Sequence, residues 1–319
     1  MTKIYLIRHA EAQGNVFRRL QGQYDAKVTP NGRKQIAALE QRFAEIPVDA
    51  VYASDLQRTC QTAEAIYKPK GLPLHKEPRL RELSVGIWEN QPFGWLRRSD
   101  PERNLLFSHH PSQWSVEGSE TFPVYTARFL AALDEIAKKH DGQTVALFSH
   151  GMVLRGILQM MFFPEDEHAV AHCENTAVSL LHYENGKYTL EMLNDASHIT
   201  HEISTLARQQ WWRGSQYMDF NMWYRDAEAE DAEFLQELGC PEGLTRVAML
   251  DEERAGAIVM QEGKLQYFAI HPQFRGRGLS PQLLGEAIWQ ARKCGCEELR
   301  TGQEAEGIAR HVLERYDIR

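Results

Sequence analysis

The sequence predicts an α/β protein: a three-layer α/β/α domain with a mostly parallel sheet, followed by a smaller α+β domain. Three short runs of apolar and β-branched residues, at 3–7, 49–54 and 144–149, are typical of buried strands. Segments of helical period separate them, and this alternation favours parallel strands covered by helices. The length of 319 residues exceeds one average domain and suits two.

Charged and imidazole side chains follow each predicted strand of the first domain. Arg8 and His9 end the first strand, Arg58 follows the second, and His150 ends the third. The carboxyl ends of parallel strands share one edge, which is where open α/β sheets bind ligands. We therefore expect these four side chains to converge, and two guanidinium groups beside two imidazoles are suited to an anion.

The position of Arg58 is a second indication of an anion. Ser54 and Gln57 have the spacing of a capping box, which places Arg58 in the first turn of a helix. The helix macrodipole disfavours a cation there. A bound dianion would make the same arginine favourable. A cation in the first turn of a helix, where it is locally unfavourable, therefore indicates a functional site.

The segments between the strands carry further signals. Thr29 followed by Pro30 is typical of a helix start. Apolar residues three and four apart between 36 and 46 predict the buried face of that helix, and we expect Gln35 to be solvated. Residues 88–113 are rich in turn formers, charges and tryptophan, which predicts a long irregular segment; beside a site, such a segment is often a lid or specificity loop.

Composition limits the partners and the compartment. A net charge of -8 leaves no basic excess for nucleic acid or an anionic membrane. The chain enters a strand without a leader, has no apolar run of bilayer length, and has five cysteines without framework spacing. We expect a cytoplasmic protein with reduced thiols. Adjacent loop histidines such as His109-His110 are usually solvated, and the pair His168/His172 lacks a second half-site, so we expect no metal.

Six motifs together resemble the histidine phosphatase, or phosphoglycerate mutase-like, superfamily. They occur in the family's order, over about residues 1–205, and are Arg8-His9-Ala10-Glu11, Ser54–Thr59, Leu80-Arg81-Glu82, Gly86-Ile87-Trp88-Glu89, Gly118-Ser119-Glu120 and Ser149-His150-Gly151. Two positions depart from the pattern, because Ala10 and Asn90 stand where glycine is usual.

The resemblance implies a phosphatase that needs no cofactor and acts on small phosphorylated metabolites. His9, unprotonated on its attacking nitrogen, would take the phosphoryl group, and water would then release it. Arg8, Arg58 and His150 would bind the phosphoryl oxygens. Asn15 would add a neutral donor.

Glu82 is the candidate proton donor to the leaving oxygen. This role requires a pKa above that of an ordinary carboxyl group, and it predicts an acid-leaning pH optimum. The other interpretation of Glu82 is a surface carboxylate paired with Arg79 or Arg81.

The chain order predicts a first domain at residues 1–200, a linker at 201–217 and a second domain at 218–319. Asn185-Gly186 predicts a hairpin near the end of the first domain. The linker contains Trp211-Trp212, and we expect it to pack on one of the domains.

The second domain begins with a predicted strand at 219–225. An acidic helix at 227–238, with Ala232, Leu235 and Leu238 facing inward, and two or three strands up to Pro272 follow it. The next residues form a glycine-rich turn before a long helix at 279–294. Such a turn exposes backbone N–H groups to one anion, and its candidate residues are Gln273, Arg275, Gly276, Arg277 and Gly278.

This strand, turn and helix resemble the Gcn5-related N-acetyltransferase family, in which the turn holds the pyrophosphate of acetyl-CoA. The resemblance implies an acetyltransferase-like fold that can bind acetyl-CoA. Leu313 stands where the family often has a tyrosine that serves as general acid, which counts against acetyl transfer. The chain also reaches Arg319 before the family's last strands, so we expect a shortened domain.

Three functions remain open at this point. The first is a phosphohistidine-forming phosphatase, and the second is a phosphoglycerate mutase that retains and returns the phosphoryl group. The third is an acetyl-CoA-dependent transferase whose first domain only binds phosphate. The substrate and the oligomeric state do not follow from the sequence.

Overall fold

The structure, a computed structural model, describes residues 1–166, 168–209, 220–302 and 306–316. Its strands are β1 (Thr2–Arg8), β2 (Ala50–Ala53), β3 (Leu74–Lys76), β4 (Thr144–Ser149), β5 (Val178–Glu184), β6 (Lys187–Asp195), β7 (Met222–Asp226), β8 (Leu244–Leu250), β9 (Glu253–Gln261), β10 (Lys264–Ile270) and β11 (Arg300–Thr301). Its helices are α1 (Gln13–Phe17), α2 (Pro30–Phe43), α3 (Gln57–Tyr67), α4 (Phe93–Ser99), α5 (Pro101–His109), α6 (Phe122–Lys139), α7 (Gly151–Phe162), α8 (Thr205–Arg208), α9 (Ala232–Glu237), α10 (Ser280–Lys293) and α11 (Glu306–Arg315). None of the described helices is both long and apolar enough to cross a bilayer.

The chain divides into two compact units that do not follow a single boundary in the sequence. The first unit contains the described residues of Met1–Ala12, Gln21–Glu89 and Glu102–Arg213. The second contains those of Gln13–Leu20, Asn90–Pro101 and Gly214–Arg319. Two segments from the first predicted domain therefore belong to the second unit.

The first unit is built on a six-stranded sheet in the order β3-β2-β4-β1-β5-β6. The strands β3, β2, β4 and β1 are parallel, and β5 and β6 are antiparallel additions. This confirms the predicted mostly parallel sheet. The predicted hairpin is confirmed as well: it joins β5 to β6 through Asn185 and Gly186, which both have positive φ, as a tight hairpin turn requires.

Helices cover both faces of this sheet. One face, with Ile7 and Phe148, packs on α2 and α3 through buried side chains such as Leu39 and Ile66. The alternate strand positions point the other way, where α6 and α7 contact β1. On that side the hydroxyl of Thr2 donates to the carbonyl of Ala137 at 2.9 Å. The three-layer prediction is thereby confirmed.

Two local expectations in the predicted first domain are wrong. Gln35 is fully buried, because its side chain accepts from the amide of Glu11 at 2.8 Å and donates to the carbonyl of Ile203 at 2.8 Å. The stretch at 88–113, expected to be irregular, is largely helical as α4 and α5. Propensity missed these helices because burial of aromatic side chains, such as Phe107 at the end of α5, stabilises them.

Part of the predicted linker belongs to the first unit. Residues Thr205–Arg208 form α8, and the hydroxyl of Thr205 donates to the carboxylate of Glu11 at 2.8 Å. The amide of Thr205 also donates to Glu174 at 3.2 Å. Trp211-Trp212 lies outside the described residues.

The second unit contains a five-stranded sheet in the order β11-β10-β9-β8-β7. Its apolar cluster combines strand residues with Leu283 and Leu284 of α10, and Phe17 of α1 lies in the same cluster. Arg19 and Glu286 form a buried ion pair at 3.0 Å, with 3 % and 2 % of the side chains exposed. These contacts explain why residues 13–20 belong to this unit.

The predicted acidic helix of the second unit is shorter than expected. A 3-10 turn at Ala229–Asp231 precedes α9, and Ala232 is exposed rather than inward-facing. Asp231 takes the inward position, since its carboxylate accepts from Arg225 and Arg254 at 2.6 Å each. Charge pairing overrides the apolar pattern at this end of the helix, whereas Leu238 packs against the apolar cluster of Val259 and Tyr267. The first residue of the predicted strand, Asp219, lies outside the described residues.

Candidate active site

The sheet brings the predicted site residues together. β1 and β4 are adjacent and parallel, with Arg8 opposite Ser149, so His9 and His150 follow neighbouring strand ends. Their ring centroids are 5.3 Å apart. Arg58 contacts His150 directly at 3.2 Å. The predicted convergence is confirmed, whereas the chemical role of each residue stays a prediction.

The tautomer of His9 is set by its own backbone. Nδ1 lies 2.7 Å from the carbonyl oxygen of Ala10, and because a carbonyl can only accept, Nδ1 carries the proton. Nε2 is then the unprotonated nitrogen. Burial, together with the positive charges of Arg58 and Arg8, holds the pKa of His9 well below its usual range. The ring is therefore neutral near pH 7.

Arg58 is fully buried and held by neutral partners. Its Nε donates to Nδ1 of His150, Nη1 donates to the carbonyl of Tyr24 at 2.7 Å, and Nη2 donates to the carbonyl of Gly22 at 2.8 Å. Burial lowers the pKa of Arg58 to about 10, so the group keeps its charge near neutral pH. The site thus holds a buried cation whose hydrogen-bond partners in the described chain carry no charge.

His150 uses both ring nitrogens within the protein. Nδ1 accepts from Arg58, so Nε2 carries the proton and donates to the hydroxyl of Ser54 at 2.7 Å. Burial, with the charge of Arg58 next in effect, holds the pKa of His150 well below its usual range. His150 therefore orients Arg58 directly, and its predicted hydrogen bond to a phosphoryl oxygen stays a prediction.

The predicted capping box at Ser54 is wrong. α3 begins at Gln57 after Leu56, and the amide of Gln57 donates instead to the carboxylate of Asp25 at 2.7 Å. The hydroxyl of Ser54 instead accepts a hydrogen bond from His150, an interaction that no local pattern predicts. Arg58 nonetheless lies in the first turn of the helix, as expected.

Arg8 has a buried donor that is not used within the described chain. Its Nη1 donates to the carbonyl of Cys173, but Nε has no hydrogen-bond partner among the described residues. A Cβ at Gly151 would lie 3.1 Å from that nitrogen, so glycine leaves room for the guanidinium beside the start of α7. An orphaned buried N–H group that is positively charged favours an anion as its partner.

Glu82 is buried against the amino terminus of α7. Its carboxylate accepts from the amides of Met152 at 3.0 Å, Val153 at 2.8 Å and Leu83 at 3.0 Å. Burial raises the pKa of Glu82 and outweighs these hydrogen bonds and the charge of Arg58, which lower it. A raised pKa is what a proton donor requires, because the carboxyl group must be protonated before it can donate.

The surface interpretation of Glu82 is wrong. Only 6 % of the residue is exposed, and the two arginines offered as partners are engaged elsewhere. Arg79 pairs with Glu77 at 2.8 Å, and Arg81 pairs with Asp55.

Asn15 differs from the other predicted site residues in the compact unit to which it belongs. It lies in α1, which is part of the second compact unit, whereas the other candidates lie in the first. Its role as a donor to the phosphoryl group stays a prediction.

Sequence reasoning missed Arg128, on α6. Its guanidinium donates to the carbonyl of Glu82 at 2.9 Å and pairs with Glu120 at 2.6 Å. The Gly118-Ser119-Glu120 motif marked the carboxylate, but Arg128 has only the appearance of a solvated helix residue in the sequence. The pair fixes the backbone that carries Glu82.

Two residues behind His9 were also missed. The side-chain amide of Asn175 donates to the carbonyl of His9 at 2.9 Å. Thr176 is fully buried with a φ of 61°, a left-handed conformation that is strained for a β-branched residue. The hydroxyl of Thr176 lies 3.0 Å from Nε2 of His198, which helps to hold it. Neither residue belongs to a motif recognised in the sequence.

The glycine turn of the second unit is placed as predicted, directly before α10. Gly276 and Gly278 have φ values of 78° and 75°, which favour glycine. Arg275 and Arg277 are exposed, and the Arg277 guanidinium lies over the ring of Phe274 at 5.1 Å. Positive-φ glycines at the start of a long helix are suited to a pyrophosphate.

Comparison with known families gives two matches. The model of the histidine phosphatase superfamily (branch 1) matches residues 4–196, and that of the acetyltransferase (GNAT) family matches residues 196–316. The two matches meet at residue 196, close to the end of the predicted first domain.

Individual relatives match the first part of the chain. Phosphoserine phosphatase 1 of Hydrogenobacter thermophilus is 29 % identical over 200 residues, which is 62 % of this chain and 95 % of the relative. A probable phosphoglycerate mutase of Proteus mirabilis is 30 % identical over 207 residues, covering 63 % and 96 %.

Solved structures give the same answer for the fold. YhfR of Bacillus stearothermophilus aligns with a TM-score of 0.59 at 29 % identity, over 62 % of this chain and 99 % of that one. A mycobacterial glucosyl-3-phosphoglycerate phosphatase in complex with VO3 aligns with a TM-score of 0.57 at 22 % identity, over 61 % and 99 %. The latter likeness concerns the fold alone.

Proposed function

Since the chain belongs to the histidine phosphatase superfamily, we propose that it hydrolyses small phosphomonoesters through a phosphohistidine on His9. By family it is a phosphoric monoester hydrolase. The observation that carries the finer proposal is the hydrogen bond from His9 Nδ1 to the carbonyl of Ala10, which leaves Nε2 with its lone pair. This nitrogen must be unprotonated because only its lone pair can form the bond to phosphorus.

The reaction proceeds in two displacements. Nε2 of His9 bonds to phosphorus while the bond to the ester oxygen breaks, and that oxygen takes a proton from Glu82. Water then attacks the phosphohistidine and gives a proton to Glu82, which releases inorganic phosphate and restores His9. Arg8 and Arg58 stabilise the charge on the phosphoryl oxygens in both steps.

A trapping experiment tests the covalent step. The full chain is mixed with p-nitrophenyl phosphate, quenched after milliseconds and digested, and the peptides are analysed by mass spectrometry. We expect a phosphoryl adduct on His9 that is stable to base and lost in acid. Turnover with no adduct at any quench time, or an adduct on another residue, would overturn the proposal.

A phosphoglycerate mutase is the second candidate, because a relative with that name is 30 % identical over most of its length. A mutase must keep its phosphoryl group, so it releases little phosphate and needs a bisphosphate primer. Release of phosphate from 3-phosphoglycerate without primer supports the phosphatase. Interconversion of phosphoglycerates that depends on added bisphosphate supports the mutase.

The proposed substrates are small phosphorylated metabolites, and the proposed compartment is the cytoplasm, where free cysteines such as the buried Cys173 stay reduced. A panel of phosphorylated sugars, amino acids and glycerates, scored by phosphate release, ranks the candidates. The ranking by kcat/KM identifies the substrate class.

For the second unit we propose binding of acetyl-CoA at the glycine turn. Gly276, Gly278 and the start of α10 would hold the pyrophosphate, and Arg275 and Arg277 would add charge. Acetyl-CoA would supply an activated acyl group there. Leu313, a buried apolar residue, offers no acid for acetyl transfer, so we propose binding without transfer. An amine panel with acetyl-CoA tests this, and formation of an acetylated amine would favour the transferase.

A further inference from the structure

We propose that Glu89 is a positioning residue for Arg58 and acts through the backbone of residues 22–25. The proposal rests on the proposed function, because it concerns the guanidinium expected to hold the phosphoryl group. Glu89 lies seven positions beyond Glu82 in the sequence, and neither its motif nor the reaction assigns it a task.

Glu89 contacts the loop of residues 22–25 through both of its carboxylate oxygens. One carboxylate oxygen, Oε1, accepts from the amide of Gln23 at 2.9 Å and from that of Val85 at 3.1 Å. The other, Oε2, accepts from the amide of Tyr24 at 2.9 Å. A charged carboxylate with three backbone donors is a strong anchor for a loop without regular structure.

The same loop contacts Arg58 through two of its carbonyl groups. The carbonyls of Gly22 and Tyr24 accept from the two terminal nitrogens of Arg58 at 2.8 and 2.7 Å. The carbonyl of Gly22 and the amide of Gln23 belong to one peptide unit. Because that unit is planar and trans, its N–H and C=O point in opposite directions. Glu89 therefore holds one side of this peptide and Arg58 the other.

Close packing leaves the loop little freedom. A Cβ at Gly22 would lie 2.2 Å from Oε1 of Glu89 and 2.8 Å from the carbonyl oxygen of Leu83, so only glycine allows this approach. Asp25, at the end of the loop, accepts from the amide of Gln57 at the start of α3, the helix that carries Arg58. The loop thus contacts Arg58 through its guanidinium and through its helix.

The indirect arrangement has a chemical advantage over a direct ion pair. A carboxylate bonded to Arg58 would occupy the donors that a phosphoryl group needs and would neutralise its charge. Two carbonyls and an imidazole orient the guanidinium and leave it cationic. Glu89 supplies the orientation from the far side of a peptide, where it does not compete with a phosphate.

The test compares Glu89→Gln and Glu89→Ala with wild type in the full chain. Inorganic phosphate is the probe, as a competitive inhibitor of p-nitrophenyl phosphate turnover. We expect the inhibition constant and KM to rise together, on the order of tenfold for Gln and more for Ala, because Arg58 loses its orientation. Asp49→Asn is the matched control: Asp49 also accepts a backbone amide, that of Thr144, but at the opposite edge of the sheet, so phosphate inhibition should not change.

A double-mutant cycle separates positioning of Arg58 from a general structural role. In an Arg58→Ala background the same Glu89 variants should weaken phosphate binding, measured by calorimetry, by less than about twofold. An equal loss with and without Arg58 would overturn the inference, and so would unchanged phosphate inhibition in both single variants. Glu89→Gln keeps the side-chain volume. If Glu89→Ala lowers the thermal midpoint of unfolding, the cycle is measured with Glu89→Gln only.

The cycle also distinguishes this inference from the proposed function. If Arg58→Ala by itself left turnover and phosphate binding unchanged, the proposed function would fail and the inference with it. If Arg58→Ala is strongly impaired and the Glu89 variants act additively, only the positioning role fails.

Discussion

The candidate active site and the glycine turn each contain two arginines proposed to bind phosphate, but they are built in opposite ways. Arg58 is fully buried, and each of its three types of nitrogen has an assigned partner. Arg275 and Arg277 are exposed, and the glycines between and after them contribute backbone conformation instead. In the first site, side chains from distant segments would bind the phosphoryl group. In the second, a contiguous stretch of backbone would bind the pyrophosphate.

The burial of the arginines indicates at which of the two sites electrostatic stabilisation can be large. A buried guanidinium acts in a low-dielectric surrounding and needs no reorganisation when charge develops on a phosphoryl group. An exposed guanidinium is screened by water and salt, so its contribution is modest. We therefore expect substitutions in the first site to change rates by orders of magnitude and those in the turn to change affinity by small factors.

The largest effect should come from His9→Ala. Removing the nucleophile should reduce phosphate release by roughly 10⁴-fold or more, as for other covalent nucleophiles. Steady-state release of phosphate from p-nitrophenyl phosphate measures it. Near-normal turnover in this variant would mean that the buried site does not work by covalent transfer. The expected difference in effect between the buried site and the glycine turn would then not hold.

Glu82→Gln should follow, with a loss of about 10²–10⁴-fold on alkyl phosphates, the range of general acid catalysis. Glu82 must be protonated to donate, and burial raises its pKa, so wild-type kcat/KM should fall as the pH rises through that pKa. At the acid end the rate should fall only when His9 becomes protonated, well below the usual pKa range of histidine.

The pH profile of the Glu82→Gln variant checks this assignment. Its alkaline limb should disappear, and its loss should be smaller with p-nitrophenyl phosphate, whose leaving group needs no proton. A wild-type profile that is flat from acid to alkaline pH contradicts the role.

Arg58→Ala should reduce kcat/KM by about 10²–10³-fold, the range for losing one buried transition-state donor. Arg58→Lys keeps the charge but not the fork, so it should recover only part of the rate. Full recovery of kcat/KM by lysine would show that the charge of Arg58 is sufficient and that the orientation of its guanidinium does not contribute to the rate.

The smallest effect should come from Arg277→Ala in the glycine turn. Binding of acetyl-CoA, measured by calorimetry, should weaken by about fivefold or less, because the guanidinium is exposed. Arg300→Ala, another exposed arginine of the same unit, is the control and should not change binding. A hundredfold loss at Arg277 would show that the turn is as preorganised as the buried site.

Much of the phosphatase site followed from linear patterns. The strand ends carrying Arg8, His9 and His150 were predicted because an apolar run followed by a polar pair is a local feature. The hairpin at Asn185-Gly186 followed from turn chemistry. The helical form of 88–113 did not follow, because its stability comes from aromatic side chains that become neighbours only after folding.

Linear patterns were sufficient to predict the strands of the first sheet, their order and the kinds of charged group at the sheet edge, since these depend on neighbours a few residues apart. Long-range contacts place the hydroxyl of Ser54 against His150 instead of at a helix cap, and Arg128 against the backbone of Glu82. They also place Phe17 in the core of the second unit. These contacts join residues far apart in the chain, and burial, which has no local signature, selects them from many possible pairings.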